Sequence, residues 1–203
     1  MDPEAESTGD LIGRPRHRDV WEVAVSARAS SVWHTTVSAN YRLFWLHDPT
    51  CEKSEKLATA LSAASREVVG WAANAVMVEV AADLVSIDLR IELFGQAPAT
   101  DGSADLQRDG QLELPGGLFS VPYSLDETFQ RGVDLPSGPG TYGVRVCGYG
   151  RTRARQLQDE GVEPGGYADI HAIVEALAGV ERYRILLWQT APEPHWEYHD
   201  DDE

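Results

Sequence analysis

Glu79, Asp88, Glu92 and Glu113 are the carboxylates that fall on or near alternating stretches of this chain. Two carboxylates flanking a cleft are what glycoside hydrolysis requires. Asp88 and Glu92, however, belong to a run in which Val85, Ile87, Leu89, Ile91 and Leu93 alternate with Ser86, Asp88, Arg90 and Glu92. Period two places both acids opposite the apolar set, on a solvated face. There they are better placed to meet a partner than to cleave a bond. Cys147 lies in a predicted strand, and a thiol nucleophile needs a base within reach and a lowered pKa. His34, His47 and His171 fall in unrelated segments, and no Gly-x-Ser-x-Gly elbow is present. Gly148–Tyr149–Gly150 lacks the lysine and the following helix of a phosphate loop. His195 and His199 would share one face of a helix and ligate a metal, but Pro192 and Pro194 precede them in an acidic terminus. The expectation is a non-enzyme with no catalytic residue, no metal site and no cofactor.

Charge says more than motifs do. Asp and Glu total 33 against 17 Lys and Arg, a net charge of −16. Such a chain repels nucleic acid and anionic membranes, and its field favours a basic protein partner. Glu193, Glu197, Asp200, Asp201, Asp202 and Glu203 form an acidic tail; without these six acids the charge is still −10. Arg145, Arg151, Arg153 and Arg155 make the clearest basic stretch, which internal acids such as Asp159 and Glu160 would neutralise. Trp45 and Trp188 sit within predicted strands, while Trp21, Trp33 and Trp71 would either pack in the core or form a sugar platform.

The elements that must position these groups are mostly strands. The 203 residues suffice for one domain with a substantial core. Residues 1–18 read as a flexible leader, 19–192 as the domain and 193–203 as the tail. Strands are predicted over 20–27, 37–46, 75–81, 85–93, 141–148 and 182–190, with two short ones in 112–124. In 37–46, Val37, Ala39, Tyr41, Leu43 and Trp45 share a face. Helical spacing appears over 52–67 and 168–178, whereas 97–110 and 151–166 read as polar loops. The fold class is therefore mainly β: an antiparallel β-sandwich of about eight strands with one or two short helical insertions. Cys51 and Cys147 build no disulfide framework, and Met1 to Asp10 has no apolar stretch behind a positive start. Both points fit a cytoplasmic protein with free thiols.

Leu135–Pro136, Gly140-x-Tyr142-x-Val144–Arg145–Val146 with Gly150–Arg151, then Glu181-x-Tyr183 and Leu187–Trp188 to Pro192, form a set of strand and turn residues. With Asn40–Tyr41 to His47–Asp48, this set resembles a family of small actinobacterial β-sandwich proteins. It is more distantly similar to the competence-associated nuclease inhibitors, small acidic cytosolic proteins that silence a DNA-entry nuclease. The helical stretch 52–67, the insert 168–178 and the acidic tail depart from that pattern. Together with the charge, the resemblance implies an inhibitor or immunity protein that occludes a basic toxin or nuclease. Asp88, Glu92, Asp200, Asp201 and Asp202 are the expected protein-binding residues. A small-ligand or carbohydrate-binding module, and a structural subunit docking through an edge strand, are the alternatives.

Overall fold

A computed structural model of the chain describes residues 28–50, 57–83, 85–122, 132–161 and 170–193. The predicted strand over 20–27, the leader, Cys51, the two terminal histidines and Asp200, Asp201 and Asp202 lie outside these residues. Ten strands and three α-helices are found among the described residues. The strands are β1 (Ser31–Ser38), β2 (Leu43–His47), β3 (Val69–Ala72), β4 (Ala75–Glu79), β5 (Ser86–Phe94), β6 (Leu106–Leu114), β7 (Leu118–Phe119), β8 (Val133–Asp134), β9 (Gly140–Tyr149) and β10 (Arg182–Pro192). The helices are α1 (Leu57–Glu67), α2 (Arg151–Glu160) and α3 (Ile170–Leu177).

The expectation of a mainly β chain holds. Its finer form does not. One sheet has the order β1-β5-β10-β9-β6, a second β2-β4-β3, and a third pairs β7 with β8. All pairings in the first sheet are antiparallel except β5 with β10, which run parallel, so that sheet is mixed. A parallel pair needs a long crossover. Here the whole stretch from β6 to α3 separates the partners in sequence, a distance over which local alternation carries no signal.

The predicted strand 37–46 is two strands. The chain reverses between β1 and β2 through a short 3-10 turn at Asn40–Arg42. Tyr41 and Arg42 there adopt left-handed backbone angles, φ 56° and 60°, a region L-residues rarely visit. Tyr41 is 76% exposed instead of sharing a face with Leu43 and Trp45. The Arg42 guanidinium holds the reversal by donating to the Val80 carbonyl and pairing with Glu79 at 3.1 Å. The segment 151–160, expected as a loop, is helix α2; Ala154 and Leu157 turn one side of it to the core.

Alternation explains where the core sits. Ile87, Leu89, Ile91 and Leu93 of β5 meet Val144 and Val146 of β9, Ile185 and Leu187 of β10, and Leu112 of β6. Phe44, Leu46, Val76 and Val78 from the three-stranded sheet complete the same cluster. Phe44 stands edge-on to Tyr183, with centroids 5.1 Å apart, and Trp33 edge-on to Phe119 at 5.2 Å. The other face of the three-stranded sheet is covered by α1 through Ala60 and Ala64, four apart and fully buried. Small residues and Gly70 allow the helix backbone to lie directly on β3. A Cβ at position 70 would fall 1.8 Å from the Ala60 carbonyl oxygen.

Gly70→Ala is therefore expected to force α1 off the sheet and lower stability by about 1–3 kcal/mol in urea denaturation, the usual cost of overpacking. Gly95→Ala, where nothing lies within 4 Å, is the control expected to leave the transition unchanged.

Candidate functional site

The chemistry-bearing side chains gather on the outer face of the five-stranded sheet, away from the main core. Strand register sets them in lateral rows. His34, Arg90, Arg184, Cys147 and Gln107 lie abreast across the five strands; Val32, Glu92, Leu186, Arg145 and Asp109 form the next row. Phe94, Cys147, Tyr149 and Leu186 make a small apolar cluster among them, with Ala104 from the segment leading into β6 packed on top.

Burial of charge on this face is matched by close pairing. The Arg184 Nε donates to Glu92 Oε2 at 2.8 Å and its Nη2 lies 2.6 Å from the same oxygen. Its Nη1 reaches Asp101 Oδ2 at 3.1 Å. Arg90 takes the other oxygen of Glu92 at 2.7 Å. The Tyr149 hydroxyl donates to Asp101 at 2.7 Å. Arg145 grips Asp109 with two bonds of 2.7 Å, donates to the Pro98 carbonyl at 2.8 Å and lies 5.9 Å from the Trp188 ring centroid. Burial pushes the Asp101 carboxyl up, but hydrogen bonds from Ser103 and Tyr149 and the Arg184 charge outweigh it and hold it below the usual aspartate value.

A second buried group ties the two large sheets together. Glu181 accepts the Ala81 amide with both oxygens, at 2.9 and 3.0 Å, and pairs with Arg151 at 3.0 Å. Arg151 also donates to the Glu79 carbonyl at 2.7 Å and to the Tyr183 hydroxyl. The Arg151 amide opens α2 directly after Gly150, so the glycine pair 148–150 does precede a helix. The Asp105 carboxylate accepts that amide at 2.9 Å, where a phosphate would bind in a nucleotide site.

These contacts sort the expected site residues. Asp88 is exposed as expected. Glu92 is not: it is 2% exposed and held between Arg90 and Arg184, so it cannot be a docking carboxylate. Alternation put it correctly on the outer face, but the segment carrying Asp101 and Ala104 covers that face. Of the basic stretch, Arg145 and Arg151 are neutralised internally by Asp109 and Glu181, while Arg153 meets Glu160 at 3.7 Å. Trp33 and Trp71 both pack against the main core, and Trp71 lies over Gly110, where a Cβ would come within 2.5 Å of its ring. Burial pushes the Cys147 thiol up to about 11, so at neutral pH it is neither thiolate nor nucleophile. Among the described residues no group of three or more His, Cys, Asp and Glu side chains is arranged to hold a metal ion. Among them, too, no helix is long and apolar enough to cross a membrane.

What the site presents to solvent is carboxylate. Among the described residues, ten exposed acids face solvent: Glu67, Asp88, Asp105, Asp109, Glu113, Asp134, Asp159, Glu160, Glu175 and Glu193. Five arginines are exposed, while Arg145, Arg151 and Arg184 are buried. Asp109 and Glu113 project from one face of edge strand β6, in line with Asp105 just before it and with Gln107 and Gln111 between. This line was missed in the sequence, where 97–110 read as a loop. Leu106, Leu112 and Leu114 do alternate with it, but Arg108 and Gly110 interrupt the apolar set.

No family model and no curated protein matches the chain. Two solved structures are similar to it in fold. One is described as crocagin biosynthetic gene J, with 17% identity and a TM-score of 0.50 over 79% of this chain and 98% of that one. The other is ComJ from Bacillus subtilis, an inhibitor of the DNA-degrading activity of NucA. It shows 12% identity and a TM-score of 0.50 over 82% of this chain and 99% of that one.

Glu92→Ala strands the buried Arg184 guanidinium and is expected to cost about 3–5 kcal/mol in urea denaturation. Asp88→Ala, on an exposed position of the same strand, is expected to stay within about 0.5 kcal/mol of the parent. The chain thus shares its fold with an inhibitor and with a biosynthetic protein, and displays an excess of carboxylates on it.

Proposed function

We propose that the protein is a non-enzymatic, cytoplasmic binding protein that inhibits a basic nuclease or toxin by covering its nucleic-acid cleft. The observation that carries this reading is the segregation of charge. Three arginines are buried and paired with acids of the chain itself, one of them the exposed Asp109, and the exposed carboxylates outnumber the exposed arginines two to one among the described residues. The fold likeness to ComJ supports it. A nuclease cleft attracts phosphates; carboxylates at fixed spacing on a rigid strand compete for the same cations, and complementary fields speed the encounter. Asp88 and Glu113 on the sheet are the carboxylates on which this reading rests, with Asp200, Asp201 and Asp202 as the acidic extension. Glu92 takes no direct part; it keeps β5 and β10 in place.

The tagged protein, passed through lysate of its source cell and eluted with a salt gradient, is expected to retain one stoichiometric basic protein at low salt. The variant Asp88→Lys/Glu113→Lys is expected to release it at several-fold lower salt. No retained protein, or retention that salt does not weaken, counts against the reading.

A further inference from the structure

Among the described residues, β6 and β1 are the two edges of the five-stranded sheet, and they differ. β6, at one edge, carries Arg108, Asp109 and Glu113 with a glycine at its middle, and its Glu113 amide is already bonded to the Ala73 carbonyl at 2.7 Å. Charges of this kind are how sheets discourage pairing with another chain. β1, at the opposite edge, has none of them. Its sequence, Ser-Val-Trp-His-Thr-Thr-Val-Ser, contains no Asp, Glu, Lys, Arg, Gly or Pro. It keeps an unbroken register with β5 from Ser31↔Leu93 to Ser38↔Ser86. In a chain of charge −16, eight edge residues without a carboxylate let a second copy approach with less repulsion than the acidic edge at β6.

We propose that β1 pairs edge to edge with β1 of a second copy, joining the two five-stranded sheets across a two-fold axis. The backbone polarity fits. Ala39 donates to the Val85 carbonyl at 3.0 Å, in the same register as β1 with β5. Odd-numbered residues therefore turn their amides and carbonyls to β5, and Val32, His34, Thr36 and Ser38 turn theirs outward. With the axis at Thr35, the outward pairs are His34 with Thr36 of the second copy, and Val32 with Ser38 of the second copy. The pairs between them place Trp33 beside Val37 of the second copy, and Thr35 beside its own equivalent.

The side chains on both faces suit this register. On the core side, Trp33 is half-buried and Thr35 exposed; the second copy's Val37 extends the apolar cover over Trp33, and the two Thr35 side chains form a β-branched pair. On the outer side, His34 of one copy stands beside Thr36 of the other, with Arg90 and Asp88 one strand further out on either side. The open depression of about 300 Å³ lined by His34, Thr36, Asp88 and Arg90 adjoins its twin there. Val32, 40% exposed in one copy, is covered. An isologous pairing of this kind closes on itself and gives a dimer, not a fibre.

Sedimentation velocity on a dilution series, at low and at raised salt, tests this. A monomer–dimer equilibrium is expected, and it strengthens with salt because screening weakens the repulsion between two acidic copies. That sign is opposite to the one expected for a basic nuclease, so failure of either proposal leaves the other standing. Thr35→Lys places two ammonium groups on the axis, and Thr36→Pro removes an outward amide that β5 does not use. Both are expected to give monomers with the parent's far-UV circular dichroism and thermal midpoint. Thr35→Cys in a Cys51→Ser background is expected to cross-link under oxidation, and Asp88→Cys is not. A monomer throughout the series overturns the proposal, as does a dimer that neither Thr35→Lys nor Thr36→Pro weakens.

Discussion

The structure depends on housing three arginines inside an acidic protein. A guanidinium removed from water costs several kcal/mol unless carboxylates and carbonyls meet it at close range. Arg184 is the clearest case: it sits on β10, in the middle of the five-stranded sheet, and is 4% exposed. Glu92 reaches it from β5 and Asp101 from the segment ahead of β6. The same demand at Arg145 is met by Asp109 and the Pro98 carbonyl. At Arg151 it is met by Glu181 and the Glu79 carbonyl. Each buried cation therefore draws together elements far apart in sequence, and the parallel joint between β5 and β10 is bridged by one of these pairs.

The same arrangement determines what the surface can do. Arginines turned inward take acids such as Glu92, Asp101 and Glu181 with them, so what remains exposed among the described residues is ten acids and five arginines. Four of the ten exposed acids, Asp88, Asp109, Glu113 and Asp134, lie on strands, where the backbone fixes the spacing of their Cα atoms. Asp105 reinforces this by occupying the start of α2, which leaves that helix end turned to a protein carboxylate. The outer face thus combines an apolar and ion-paired interior with a rim of carboxylates, an arrangement suited to presenting charge and ill-suited to bond-making chemistry at Cys147.

Elements with one wet and one dry face were legible from residue types alone. β5, β9 and β10 fall close to where alternation puts them, and α1 and α3 where helical spacing does. The reversal at Asn40–Arg42 was not legible, because Val37, Ala39, Tyr41, Leu43 and Trp45 alternate straight through it without a glycine or proline to mark the left-handed backbone. β3, only four residues long, offers no period to detect. α2 was hidden by composition, since Ala154 and Leu157 are its only apolar positions and its fixation comes from the core and from Asp105. Glu92 shows the limit most clearly. Its face was read correctly and its burial was not, because a covering segment and Arg184, 92 residues further along the chain, decide it.

Inhibition itself is the central claim, and DNA degradation by the retained nuclease is its most direct measure. Purified protein added in stoichiometric steps should extinguish cleavage near an equimolar ratio, and raised salt should restore it at the same ratio. Cleavage that continues unchanged when the nuclease is saturated with the protein would contradict occlusion of the cleft.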